Sequence, residues 1–172
     1  MHAQLLAELC VHFFMKHMDL VTIYTDGAAR GNPGPGGYGV VMLFNGHRKE
    51  LSAGFRLTTN NRMELLAVIV GLETLKRTNL KVKVYSDSKY VVDAITKGWI
   101  WDWQRKRFKK KKNQDLWMRY IQLHSKFDVD FQWVKGHASI PENERCDELA
   151  VNASLQENLP ADSGYEAQKE TN

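Results

Sequence analysis

Four carboxylates stand where a fold could bring them together: Asp26 in "YTDG", Glu64 in "NNRMELL", Asp87 in "YSDS" and Asp147 in "ERCDEL". Each has a local explanation of its own. Asp26-Gly27 is a turn dipeptide. Glu64 lies three residues after Asn61, as in a capping box, and Asp87 precedes a helix where an N-cap belongs. Asp147 stands in the first turns of a helix whose dipole favours an acid. Their joint placement asks for more. Asp26 and Asp87 end strands and Glu64 opens a helix, and in sheets with parallel strands ligands gather at such strand ends, beside helix N-termini. Carboxylates collected there repel one another unless a cation neutralises them. Oxygen donors without histidine or thiolate partners favour magnesium or manganese over zinc. The chemistry suggested is a magnesium site acting on phosphate.

The stretch that carries Asp26, "YTDGAARGNPGPGGYG", also contains Gly34, Gly36 and Gly39 at the spacing of a dinucleotide-binding turn. That turn works only when it opens a helix whose N-terminus receives the pyrophosphate. Here "VVMLF" and Asn45-Gly46 follow, which is a strand and a hairpin turn. Pro33 and Pro35 remove backbone donors that a phosphate cradle needs, and no G-K-[ST] follows. The glycines and prolines are expected to form a compact crossover from the first strand to the second, leaving Asp26 at a strand end.

The elements that must position these acids read in the order β-β-β-α-β-α-α-α-β-α. "LVTIYTD" and the pair joined at Asn45-Gly46 give three antiparallel strands. "NNRMELLAVIVGLETLKR" has helical spacing at Leu65, Leu66, Ile69, Leu72 and Leu75, "KVKVYSD" is a strand, and "ENERCDELAVNASLQ" is a helix after Pro141. The fold class is α/β, with a five-stranded mixed sheet of three antiparallel strands followed by parallel strands, flanked by helices. Residues 19–157 form this domain. Residues 1–18 read as an amphipathic extension, with Gln4, Glu8, His12 and Lys16 opposite Leu5, Leu9 and Phe13, and Met15 or Met18 as alternative starts. Residues 158–172 are polar and expected to form a loose tail. Glu8 and the missing small-residue cleavage site argue against a secretory signal. No apolar run approaches the length of a membrane span. Cys10 and Cys146 suggest neither a disulfide framework nor a zinc knuckle. A soluble, cytoplasmic monomer is expected.

The net charge of +4 is unevenly spread. In "RKRFKKKK", Arg105, Lys106, Arg107, Lys109, Lys110, Lys111 and Lys112 are basic. Setting those seven aside from the 24 Lys and Arg leaves 17 against 20 Asp and Glu, so the rest of the chain is net acidic. A basic run on an acidic molecule points to phosphate contacts. Trp99 and Trp103, at helical spacing just before it, fit either a core or a substrate surface.

"YTDGAARGNPGPGGYG", "TTNNRMELLA", "YSDSKYV" and "VKGHASIPENERCDELA" together resemble bacterial type 1 ribonuclease H, over residues 19–153 and weakly into "DSGY". The resemblance implies the ribonuclease H-like fold and an endonuclease that hydrolyses the RNA strand of RNA–DNA hybrids, leaving 3′-hydroxyl and 5′-phosphate ends. It assigns metal ligation to Asp26, Glu64, Asp87 and Asp147, and catalysis to these four together with His137 in a mobile loop. Two Mg2+ ions are implied, ~3.5 to 4 Å apart in sites of this kind, with Mn2+ as a substitute. The resemblance places Asn32, Asn60, Asn61 and Lys89 near the RNA 2′-hydroxyls. Tyr90, Trp99 and Trp103 match an aromatic channel for the DNA strand, and Thr59 and Asn113 a phosphate pocket. Ser139 stands where relatives commonly have glycine, and Lys89 where glutamine is frequent.

Two other readings remain. A non-catalytic hybrid-binding module would need a broken acid set, and all four acids are present. An integrase-like transferase of the same two-metal kind would have no use for Asn60-Asn61 or the basic run.

Overall fold

The computed structural model describes residues 20–78, 80–136 and 138–170, apart from the side chains of residues 169 and 170. The expected extension, residues 1–18, and His137 lie outside the described residues.

β1 (Leu20–Ala29), β2 (Gly34–Phe44) and β3 (His47–Thr58) form an antiparallel meander. The β2–β3 turn places Asn45 and Gly46 at φ of 47° and 77°, the positive pair that a tight two-residue hairpin requires. Then come α1 (Asn60–Glu73), β4 (Lys81–Ser86), α2 (Lys89–Thr96), α3 (Trp99–Arg105), α4 (Gln114–His124), β5 (Asp128–Trp133), α5 (Pro141–Ser154) and α6 (Ser163–Glu170). The sheet order is β3-β2-β1-β4-β5, with β4 parallel to β1 and β5 parallel to β4. This is the five-stranded mixed sheet expected from the sequence. One consequence matters for the site. Because Thr25 pairs with Ser86 in the parallel register, the next residue of each strand, Asp26 and Asp87, emerges at the same sheet edge.

On one face lies α1, buried almost all round between β1, β2 and α4, which is how a helix apolar on every side is stabilised. Leu65, Ile69 and Leu72 pack there with Ile23, Val40 and Val84, each fully buried Leu or Ile contributing about 1.5–3 kcal/mol. α5 covers the other face over β1, β2 and β3.

Two expectations are corrected. The glycine run is not mainly a crossover, because β2 already begins at Gly34. A Cβ on Gly39 would stand 2.0 Å from the Cys146 carbonyl oxygen, one on Gly37 2.7 Å from that of Ala150, and one on Gly54 2.1 Å from that of Ala153. These glycines form the bed on which α5 lies. Nor are the described residues 158–170 loose, because α6 folds there and the Arg56 amide donates to the Pro160 carbonyl at 2.9 Å. Buried Asp162 accepts from Thr58 Oγ1 at 2.7 Å and from Arg62 Nε at 2.8 Å. The segment's polar side chains serve as ion-pair partners.

Candidate active site

The local explanations for the acids fail one by one. Thr59 caps α1, accepting from the Arg62 amide, so Glu64 is free of that duty. Ser88, not Asp87, caps α2 by accepting from the Val91 amide. Asp147 lies beyond the first turn of α5, whose acids are Glu142 and Glu144. The Asp26-Gly27 dipeptide lies within β1, and its glycine has another purpose. A Cβ on Gly27 would stand 2.3 Å from the Glu64 amide nitrogen, so only glycine lets the first turn of α1 approach the end of β1.

That approach gathers Asp26, Glu64 and Asp87. Each offers a carboxylate oxygen, and the three oxygens lie within 4.8 Å of one another. Asp26 and Glu64 are each only 6% exposed, while Asp87 is half-buried. The Gly27 amide donates to Asp26 Oδ1 at 2.8 Å, and Asn60 Nδ2 donates to Glu64 Oε1 at 3.4 Å. Glu64 Oε2 is buried with no hydrogen-bond partner. Burial, then the charge of Asp87 beside it, pushes the Asp26 carboxyl from 3.8 up to about 8. Burial, then the charges of Asp26 and Asp87, likewise raises Glu64 well above its ordinary value. An orphaned oxygen among like charges is costly to bury, and a donor set of carboxylate oxygens suits a hard divalent cation. The residues therefore fit such an ion.

Asp147 is half-buried on α5 and lies outside that group of three, although its charge adds to the shift at Asp26. Two neighbours of Asp87 could not be found from the sequence. Trp133 Nε1 donates to the Asp87 carbonyl at 3.0 Å, and a Cβ on Gly136 would stand 2.7 Å from Asp87 Oδ2. Ser139 has φ of 58°, in the left-handed region where glycine is at ease.

A hydrogen-bonded run leads from the acids into a groove, because the Asn60 amide also donates to Asn32 Oδ1 at 3.3 Å. The groove encloses about 740 Å3 and is lined by Asn32, Thr59, Asn61, Tyr90, Trp99, Trp103, Lys110, Lys111, Lys112 and Asn113, as well as Tyr165 and Gln168, which the sequence reading missed. Trp99 is 43% exposed. Trp103 has both suggested roles, packing edge-on against Trp117 while it lines the groove. The Tyr90 hydroxyl accepts from Asn113 Nδ2 and Trp117 Nε1. Buried Phe108 anchors the basic run, whose Arg105, Lys106, Arg107 and Lys109 are exposed outside the groove lining. Arg105 pairs with Asp102. Lys89 is exposed with its ammonium 5.1 Å from the centre of the Trp133 ring, also outside the lining.

Comparison with known proteins agrees with this geometry. The RNase H family model matches residues 18–155. The chain is 63% identical over 147 residues to the ribonuclease H of Desulforamulus reducens, covering 83% of this chain and 92% of that protein. The crystal structure of LC9-RNase H1, described as a type 1 RNase H with the type 2 active-site motif, matches with a TM-score of 0.71 and 34% identity over 88% of this chain and 81% of that one. LC11-RNase H1, crystallised in complex with an RNA/DNA hybrid, matches with a TM-score of 0.61 and 30% identity over 77% of this chain and 95% of that one. With its acids brought to one sheet edge beside a basic and aromatic groove, the chain belongs to the ribonuclease H family.

Proposed function

We propose that the protein cuts the RNA strand of RNA–DNA hybrids endonucleolytically, with Asp26, Glu64 and Asp87 holding divalent cations, magnesium above all, assisted by Asp147. The observation that carries this reading is the convergence of three carboxylates, one of which, Glu64, keeps a buried oxygen with no hydrogen-bond partner. Bound cations of this kind supply a water acidic enough to attack near neutral pH and stabilise the departing 3′ oxygen, which leaves 3′-hydroxyl and 5′-phosphate ends. The chain's own residues do the placing. The Gly27 amide fixes Asp26 Oδ1, while Asn60 orients Glu64 and, through Asn32, couples it to the groove. Asn32, Asn60 and Asn61 are of the type that reads RNA 2′-hydroxyls across a minor groove. Trp99, Trp103 and Tyr90 offer ring surfaces to the DNA strand, with Thr59 and Asn113 at a phosphate. Lys110, Lys111 and Lys112 supply salt-sensitive attraction. His137 handles protons, work to which an imidazole side chain is suited.

The test offers labelled RNA–DNA hybrid, duplex RNA and duplex DNA to the protein, with magnesium and with chelator. Cleavage of the hybrid's RNA strand alone, and only with magnesium, is expected. Binding without cleavage would instead establish a non-catalytic hybrid-binding module.

A further inference from the structure

α6 lies beyond the stretch matched by the family model, residues 18–155, yet Tyr165 and Gln168 on it line the same groove as Thr59, Trp99 and Trp103. Its position is set from below. Asp162, just ahead of the helix, accepts from the Tyr165 amide at 3.2 Å and from both Nε and Nη2 of Arg62. The Arg62 side chain is 1% exposed, and its other donors reach Asp115 on α4 at 2.8 and 2.9 Å. Arg62 therefore joins three of the segments that carry groove residues: the start of α1 with Thr59 and Asn61, the start of α4 beside Asn113, and α6. Both groove-facing side chains of α6 lean on this network. Gln168 Nε2 donates to Asp115 Oδ1 at 3.2 Å, and the Arg62 guanidinium stands 6.0 Å from the centre of the Tyr165 ring. A buried ion triad adds little net stability over apolar packing, but the planar fork of an arginine fixes the orientation of what it binds.

We propose that α6 is part of the nucleic-acid interface. Tyr165 contacts the DNA strand of a bound hybrid with its ring and Gln168 contacts a phosphate oxygen with its carboxamide, while Arg62 positions both through Asp162 and Asp115. This inference rests on the hybrid reading above. Because neither contacting side chain is charged, their contribution does not release counterions and is insensitive to salt, unlike that of the lysines.

The test compares wild type with a Tyr165→Ala/Gln168→Ala double variant for binding of a labelled hybrid in chelator across a range of salt, and for cleavage with magnesium. A stacked aromatic and a hydrogen bond to a charged group together correspond to about a hundredfold weaker binding. The slope of log K against log salt should stay the same, KM should rise more than kcat falls, and the thermal midpoint should scarcely move. Asp162→Asn, which loosens the clamp and leaves both contacts in place, should reproduce the rise in KM. If the double variant binds and cuts with unaltered Kd and KM while wild type binds the hybrid, α6 has no part in the interface. A thermal midpoint that falls together with kcat, at unchanged KM, would leave α6 a structural role only and overturn the proposal. Wild type that neither binds nor cuts hybrid would overturn the hybrid reading itself.

Discussion

Arg62 and Glu64 sit two residues apart on α1, and both are buried, but their surroundings are opposite. Arg62 meets Asp115 and Asp162, and its guanidinium donors are matched by carboxylate oxygens at 2.8–2.9 Å. Glu64 meets Asp26 and Asp87, carboxylates like itself, and keeps one buried oxygen without a partner. The first cluster already contains its counter-charge, so it can hold three segments together unaided. The second is complete only when a positive ion joins it. A helix that serves both clusters explains how the fold tolerates the acids: rigidity comes from the Arg62 side and chemistry from the Glu64 side.

The comparison can be broken from either end. The largest effect should come from Asp26→Asn, which removes a charged ligand at the centre of the acid cluster. Turnover should fall by about a thousandfold or more while hybrid binding in chelator survives, and full activity in this variant would show that Asp26 is not a ligand that matters. Next, Arg62→Met strands Asp162 and Asp115. Removing one partner of a buried ion network costs about 3–5 kcal/mol, so the denaturant midpoint should drop accordingly; a loss below about 1 kcal/mol would mean that other contacts hold α6.

A smaller effect sharpens the contrast through pH. The Asp26 pKa is raised in the folded state to about 8, so the folded protein binds the extra proton more tightly than the unfolded chain does. The stability from that proton is fully present below about pH 4 and is lost as pH rises through about 8. Without divalent cation, wild type should therefore be less stable than Asp26→Asn at pH 8, by something on the order of 1–3 kcal/mol, and the gap should close toward pH 4. Thermal melts of both proteins in chelator check this, and a gap that does not vary with pH would contradict it. The smallest effect concerns the basic run. Replacing Lys109, Lys110, Lys111 and Lys112 by alanine should weaken hybrid binding and flatten its salt dependence, with the slope reduced by up to ~0.9 per lost phosphate contact; an unchanged slope would exclude these side chains from phosphate contact.

The acid cluster was legible in the sequence because its placement follows from rules of order. Two strands that run parallel end their mutual pairing at one edge, and the sequence places an acid just past it on each, at Asp26 within β1 and at Asp87 after β4. The glycines after Asp26 were read as a turn because local rules recognise a glycine by its own backbone, whereas Gly37, Gly39 and Gly54 are required by a helix that lies about a hundred residues on in the chain. Arg62 and α6 were hidden for a related reason. A polar segment looks solvated until its charges are seen to pair with a cation that is itself buried, and nothing in "RMELL" marks Arg62 as interior. One signal was available: Asp162 ahead of "SGYEAQ" is a helix-start pattern, faint beside the polarity of the segment around it.

The most direct test of the account is a calorimetric titration of Mg2+ into the metal-free protein at pH 8, without nucleic acid, on wild type, Asp26→Asn and Asp87→Asn. Wild type should bind the cation saturably and gain thermal stability as its concentration rises, and both variants should bind at least about tenfold more weakly. If wild type shows no saturable binding, or if the variants bind as tightly as wild type, the three carboxylates do not form the metal site on which the account depends.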